Sequence, residues 1–121
     1  MDKYGISDIE RLKHISEAVD LIFSFCDRKT ETDFLNDTML NSSVLYQFII
    51  IGEAISHIDP ELLKKYPYPW HLPKSFRNYI AHEYFEINLK QVYKTVSDLL
   101  PDFKMLIDKM IGEKSKVWLP S

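Results

Sequence analysis

Residues 88–110 read NLKQVYKTVSDLLPDFKMLIDKM, and this stretch decides the fold class. Its apolar residues Leu89, Val92, Val96, Leu99, Phe103, Leu106 and Met110 follow one another in steps of three and four. That spacing gathers side chains on one face of a helix, and no strand can use it. Asn88 is a good N-cap with Gln91 three residues on, Ile87 can pack on Val92, and Gly112 is placed to close the helix. Pro101 falls inside the pattern without changing its phase, which predicts a kink in one long helix rather than its end.

The same period recurs upstream. Ser7-Asp8-Ile9-Glu10 has the form of a capping box, and Ile9, Leu12, Ile15, Val19, Ile22 and Cys26 make a helical stripe that runs to about Cys26. A polar run, Asp27 to Glu31, interrupts it, and Phe34 and Leu35 suit a short helical turn. A second long helix over roughly 38–57 carries Leu40, Val44, Phe48, Ile51, Ile55 and Ile58 on one face, with Leu45 and Ile49 widening it. Asp59-Pro60 pairs an N-cap with a proline at the first helical position, so a brief helix follows, from Glu61 to Tyr66. Pro67, Pro69 and Pro73 hold Tyr68, Trp70, His71 and Leu72 extended, and a further helix opens near Pro73 or Lys74. Trp70 reads as an anchor in the core or at a dimer interface. The expected fold is all-α, an antiparallel bundle of about four to five helices. Residues 1–121 form a single domain, with the tail from about residue 113 peripheral.

The composition agrees. The chain of 121 residues is 45% hydrophobic and 27% charged, with only 3 Gly and 6 Pro, too little turn material for an all-β chain. A single Cys26 excludes a disulfide scaffold and a thiolate metal site. The first residues lack the apolar core of a signal peptide, and the run around Phe48-Ile49-Ile50-Ile51 is far short of a bilayer span, so the cytoplasm is expected and no membrane. A net charge of −3 argues against a general nucleic-acid coat, yet residues 60–94 alone carry +3 and the remainder −6. His-Glu-x-x-His, Cys-x-x-Cys, Walker and Gly-x-Gly-x-x-Gly patterns are all missing, so neither a metal nor another cofactor is expected. His14, His57 and His71 stand isolated and read as surface or packing residues.

One segment asks for more than packing: Phe76-Arg77-Asn78-Tyr79-Ile80-Ala81-His82-Glu83-Tyr84-Phe85. Five residues apart on a regular helix, Arg77 and His82 point about 140° away from each other, while Arg77 and Tyr84 nearly line up. Spacing alone leaves two readings open. Either this is a helix end whose Arg and His cap carbonyls, or two chains pack these helices together and their Arg and His residues converge on one groove. Gly52 in mid-helix costs about 1 kcal/mol against alanine, and a close helix crossing accounts for it. Glu53 beside it is a partner for Arg77, a contact for a partner protein, or a plain surface or structural residue.

Ile50-Ile51-Gly52-Glu53-Ala54, then Tyr66-Pro67 and Pro69-Trp70, then Arg77-Asn78 with His82 and Tyr84 together resemble the HepT-like branch of the HEPN superfamily, whose motif Arg-x-x-x-x-His-x-Tyr falls here on Arg77, His82 and Tyr84. The similarity runs from about Ile6 to Met110; Ser75 stands where the family often has Gly, and Glu83 where Asp is commoner. The resemblance implies a homodimeric helical bundle, metal-independent endoribonuclease activity and a toxin role. It also implies a partner, an MntA-like minimal nucleotidyltransferase antitoxin that transfers AMP onto Tyr84.

The chemistry of these side chains is compatible with that role. RNA supplies its own nucleophile, the 2′-hydroxyl, so cleavage needs a base, an acid and a cation for the developing charge. Histidine titrates near neutrality and suits both proton transfers, which two copies of His82 can divide. Arg77 offers a planar fork to two phosphate oxygens. Asn78 is an orienting group or a helix hydrogen-bond partner, and Tyr84, an ordinary phenol, is a poor base, a good AMP acceptor and a stacking surface for a base. The alternative is a non-catalytic adaptor that binds and regulates a nucleotidyltransferase, with Arg77 and His82 gripping a nucleotide phosphate.

Overall fold

The computed structural model describes residues 6–116, leaving aside the side chains of Tyr84, Ser115 and Lys116. Seven helices follow one another: α1 (Asp8–Cys26), α2 (Glu31–Asn36), α3 (Thr38–Ser56), α4 (Pro60–Leu63), α5 (His71–His82), α6 (Leu89–Asp98) and α7 (Leu100–Lys116), with a 3-10 turn at Tyr84–Glu86. No strand forms among the described residues. α3 lies between α1 and α5, and α7 packs on the other side of α1.

Apolar burial explains the long helices. Leu12, Ile15, Val19 and Ile22 of α1 meet Val44, Phe48, Ile51 and Ile55 of α3 in one core that Ile80, Val92, Phe103 and Ile107 complete. α3 is long and apolar enough to cross a membrane by composition, and half of its most apolar window is buried in this core. The start of α1 is capped by Ser7, whose Oγ accepts from the Glu10 N–H at 3.2 Å; its hydroxyl donates to the Glu10 carboxylate. The reciprocal capping box lies elsewhere, at α2. There Thr30 Oγ1 accepts from the Asp33 N–H, and the Thr30 N–H donates to Asp33 Oδ2. These bonds to Thr30 hold the Asp33 carboxyl below its ordinary range.

Three expectations need correction. α5 opens at His71, so Pro73 sits in its first turn, where a missing N–H costs nothing because no helical carbonyl precedes it. At Pro101 the helix does not merely kink: α6 ends at Asp98, Leu99 adopts φ −111°, and α7 restarts at Leu100. Beyond this break Leu100 and Ile107 take the core places read for Leu99 and Leu106, while Phe103 and Met110 keep theirs. Leu100, Phe103, Ile107 and Met110 are buried, while Leu99 is 58% exposed. Gly112 does not close the helix, since α7 continues past it to Lys116.

The Pro-rich connection is fixed by Trp70, whose indole N–H donates to the carbonyls of Leu63 at 3.0 Å and Tyr66 at 3.1 Å, and whose ring packs on Tyr68 and Phe103. Trp70 is thus an anchor within the chain. Tyr66 donates its hydroxyl to Glu113 at 2.6 Å, tying this connection to α7, and that bond pushes the phenol up to about 12. Elsewhere on α7 Lys104 bonds Ser16 of α1 and Asp108. Burial pulls its ammonium down, but Asp108 and Asp20 outweigh burial and hold it above its usual value.

Candidate active site

Gly52 determines where Arg77 can be. α5 crosses α3 so closely at this point that a Cβ on Gly52 would run into Arg77 Cβ and lie 2.8 Å from the Pro73 carbonyl oxygen. The expected close crossing is therefore present, and it clamps the stem of Arg77. The guanidinium emerges at the edge of the crossing, with Nη1 3.1 Å from Glu53 Oε2. Its Nε is buried and has no hydrogen-bond partner among the described residues. Arg77 and Glu53, neighbours in the sequence reading, are thus brought together.

His57, read from the sequence as isolated, stands on the same edge. Its Nε2 is 3.9 Å from Glu53 Oε1, so one carboxylate pairs with the guanidinium and has an imidazole near its other oxygen. The signal available in the sequence was the four-residue spacing from Glu53, which puts both side chains on one helical face. It acquires meaning only once that face is known to border α5.

His82 is the last residue of α5 and is exposed. Helical geometry keeps it about 140° from Arg77 around the axis, so one chain does not bring the pair together. Asn78 is exposed between them, with no side-chain hydrogen bond among the described residues. Beyond His82 the helix stops. Glu83 caps it at φ −112°, donating its N–H to the Tyr79 carbonyl at 2.9 Å, and Tyr84 begins the 3-10 turn. The alignment of Tyr84 with Arg77 on a continuous helix consequently does not hold, and the Tyr84 side chain itself lies outside the described residues. Tyr79 secures the far end of the turn as well, its hydroxyl accepting the Asn88 N–H at 2.8 Å.

A cleft of about 340 Å³ opens between α3, α5 and the α6–α7 junction, lined by Phe48, Ile51, Tyr68, Phe76, Leu99 and Phe103 among others. Its walls are apolar, and it holds no carboxylate, imidazole or cation. The chemistry lies outside it. Among the described residues no group of three or more His, Cys, Asp and Glu side chains is placed to hold a metal.

Fold and site together define an all-helical domain with a clamped surface guanidinium and imidazoles able to move protons. The chain belongs to the HepT-like ribonuclease family, whose model, "Ribonuclease HepT-like", matches residues 15–110. It is 33% identical over 106 residues to "Gamma-glutamylcyclotransferase and putative RNase MJ0434" of Methanocaldococcus jannaschii; the match covers 87% of this chain and 48% of that relative, about half its length. It is 31% identical over 100 residues to "Probable ribonuclease HepT" of Thermococcus cleftensis, covering 82% of this chain and 91% of the relative. A third relative, "Putative RNase MJ1216" of Methanocaldococcus jannaschii, is 28% identical over 103 residues, 84% of this chain and 85% of its own length. No solved structure matches.

Proposed function

We propose that this chain is the toxin of a toxin–antitoxin pair, a metal-independent endoribonuclease of the cytoplasm. In this reading it works as a homodimer in which Arg77 of one copy acts with His82 of the other. The observation that carries the reading is Arg77 itself: in a family of ribonucleases, its stem is locked by Gly52 and its fork is presented at the surface. Such a group serves a phosphodiester, neutralising charge on two non-bridging oxygens as the 2′-oxygen attacks. His82 supplies proton transfer from the second copy, because one chain turns it away from its own Arg77. Support for the dimer comes from α3, where Met39 and Tyr46 are 81% and 61% exposed and Glu53 lies seven residues further along the same face. Pairing those faces would cover the apolar residues and put the Arg77 edge at the contact.

Neutralisation falls to an MntA-like nucleotidyltransferase that places AMP on Tyr84. Each AMP adds negative charge and bulk to the segment that follows His82, which opposes the binding of substrate phosphate. Incubating the purified chain with total RNA in EDTA, then identifying the product ends, tests the activity. The expected products carry 2′,3′-cyclic phosphate and 5′-hydroxyl ends, and both disappear in Arg77→Ala and His82→Ala. A wild-type chain that binds the nucleotidyltransferase and never cuts RNA establishes the adaptor instead.

A further inference from the structure

We infer that His57 is the general base of the site, the group that takes the proton from the RNA 2′-hydroxyl. The inference rests on the ribonuclease reading above and extends it to a residue outside the Arg77–His82–Tyr84 motif.

Within one chain α5 turns Arg77 and His82 apart, whereas Arg77 pairs with one oxygen of the Glu53 carboxylate at 3.1 Å and His57 Nε2 lies 3.9 Å from the other. The longer distance is beyond hydrogen-bond reach, and catalytic contacts are often long before substrate completes a site. A carboxylate on the Nε2 side favours the tautomer with its proton there and leaves Nδ1 as the acceptor. Glu53 thus faces the base and the phosphate-binding arginine at once. The position is also well anchored. His57 caps α3 through its backbone N–H, which reaches the Ala54 carbonyl at 3.1 Å, while its side chain is 43% exposed and open to substrate.

The step balances without another reactant. The 2′-hydroxyl proton passes to Nδ1 of neutral His57, the 2′-oxygen bonds to phosphorus, and the bond from phosphorus to the 5′-oxygen breaks. Protonated His82 of the second copy gives its proton to that leaving oxygen. The products are a 2′,3′-cyclic phosphate and a 5′-hydroxyl, and one imidazole gains the proton the other loses.

The test uses the full chain and a short RNA that the wild type cuts. His57→Ala should keep its helicity and KM and lose about 10²–10⁴-fold in kcat, and free imidazole should restore part of the rate in proportion to its concentration. A His57→Ala chain with wild-type kcat, one with a raised KM alone, or one whose loss imidazole leaves untouched would overturn the assignment. Failure of the parent reading looks different: the wild type then leaves the RNA intact, and the role of His57 falls with it.

Discussion

At the scale of single residues, Arg77 sits where its own stability argues against it. A buried N–H without an acceptor costs about 1–3 kcal/mol, and Arg77 Nε is such a group. The ion pair with Glu53 returns less, since its partners are 29% and 52% exposed and pairs of that kind contribute about 0–1 kcal/mol. Methionine would fill the same space with no donor to satisfy. Arg77→Met should therefore unfold in urea at the same or a higher midpoint than wild type, with an unchanged slope, while RNA cleavage is lost. A midpoint well below wild type would make the pair with Glu53 structural. The two tyrosines of the motif also differ. Tyr79 has its hydroxyl engaged by Asn88 and its ring stacked on Phe76, which leaves Tyr84 as the acceptor to test. Co-expression with the nucleotidyltransferase should add AMP mass to the peptide holding Tyr84, and Tyr84→Phe should escape silencing. AMP found on Tyr79 alone would reverse that choice.

At the scale of helices, the α3–α5 crossing is the element on which the site depends. Gly52→Ala puts a methyl group against Arg77 Cβ and the Pro73 carbonyl, neither of which is the free end of a side chain, so the helices must separate. Overpacking of this sort costs about 1–3 kcal/mol, and the displacement carries Arg77 away from Glu53. The expected result is a lowered melting temperature together with cleavage reduced by more than the stability loss explains. Activity unchanged in a folded Gly52→Ala chain would detach the site from the crossing. Helix periodicity made α1 and α3 legible, because buried faces such as Leu12, Ile15, Val19 and Ile22 enforce it. The break before Pro101 was hidden by the sequence Leu99-Leu100: either leucine continues the stripe, and only packing shows that Leu100 takes the core position. The start of α5 was hidden because a proline in a first turn looks the same as a proline that prevents a helix. At the site, the pairing of Glu53 with Arg77 could be read from Gly52-Glu53, whereas the approach of His57 depends on how α3 and α5 cross.

At the scale of the whole molecule, the account is one of incomplete halves. In the proposed site one chain carries an edge made of Arg77, Glu53 and His57, and it carries His82 around the helix from that edge. The exposed Met39 and Tyr46 lead along α3 towards the same edge. Residues 60–94, which include Arg77, carry a basic surplus within an otherwise acidic chain. Two copies related by a two-fold axis would exchange the missing histidine. The most direct measurement is the activity of mixed dimers. Arg77→Ala and His82→Ala chains, each inactive alone, are unfolded together, refolded at equal concentration and given RNA. Half of the refolded dimers contain one chain of each kind, and each of those holds one intact site. The account predicts about a quarter of wild-type activity in the mixture, with the same cyclic-phosphate ends. A mixture as inactive as its two parents, from chains shown to exchange, would contradict it.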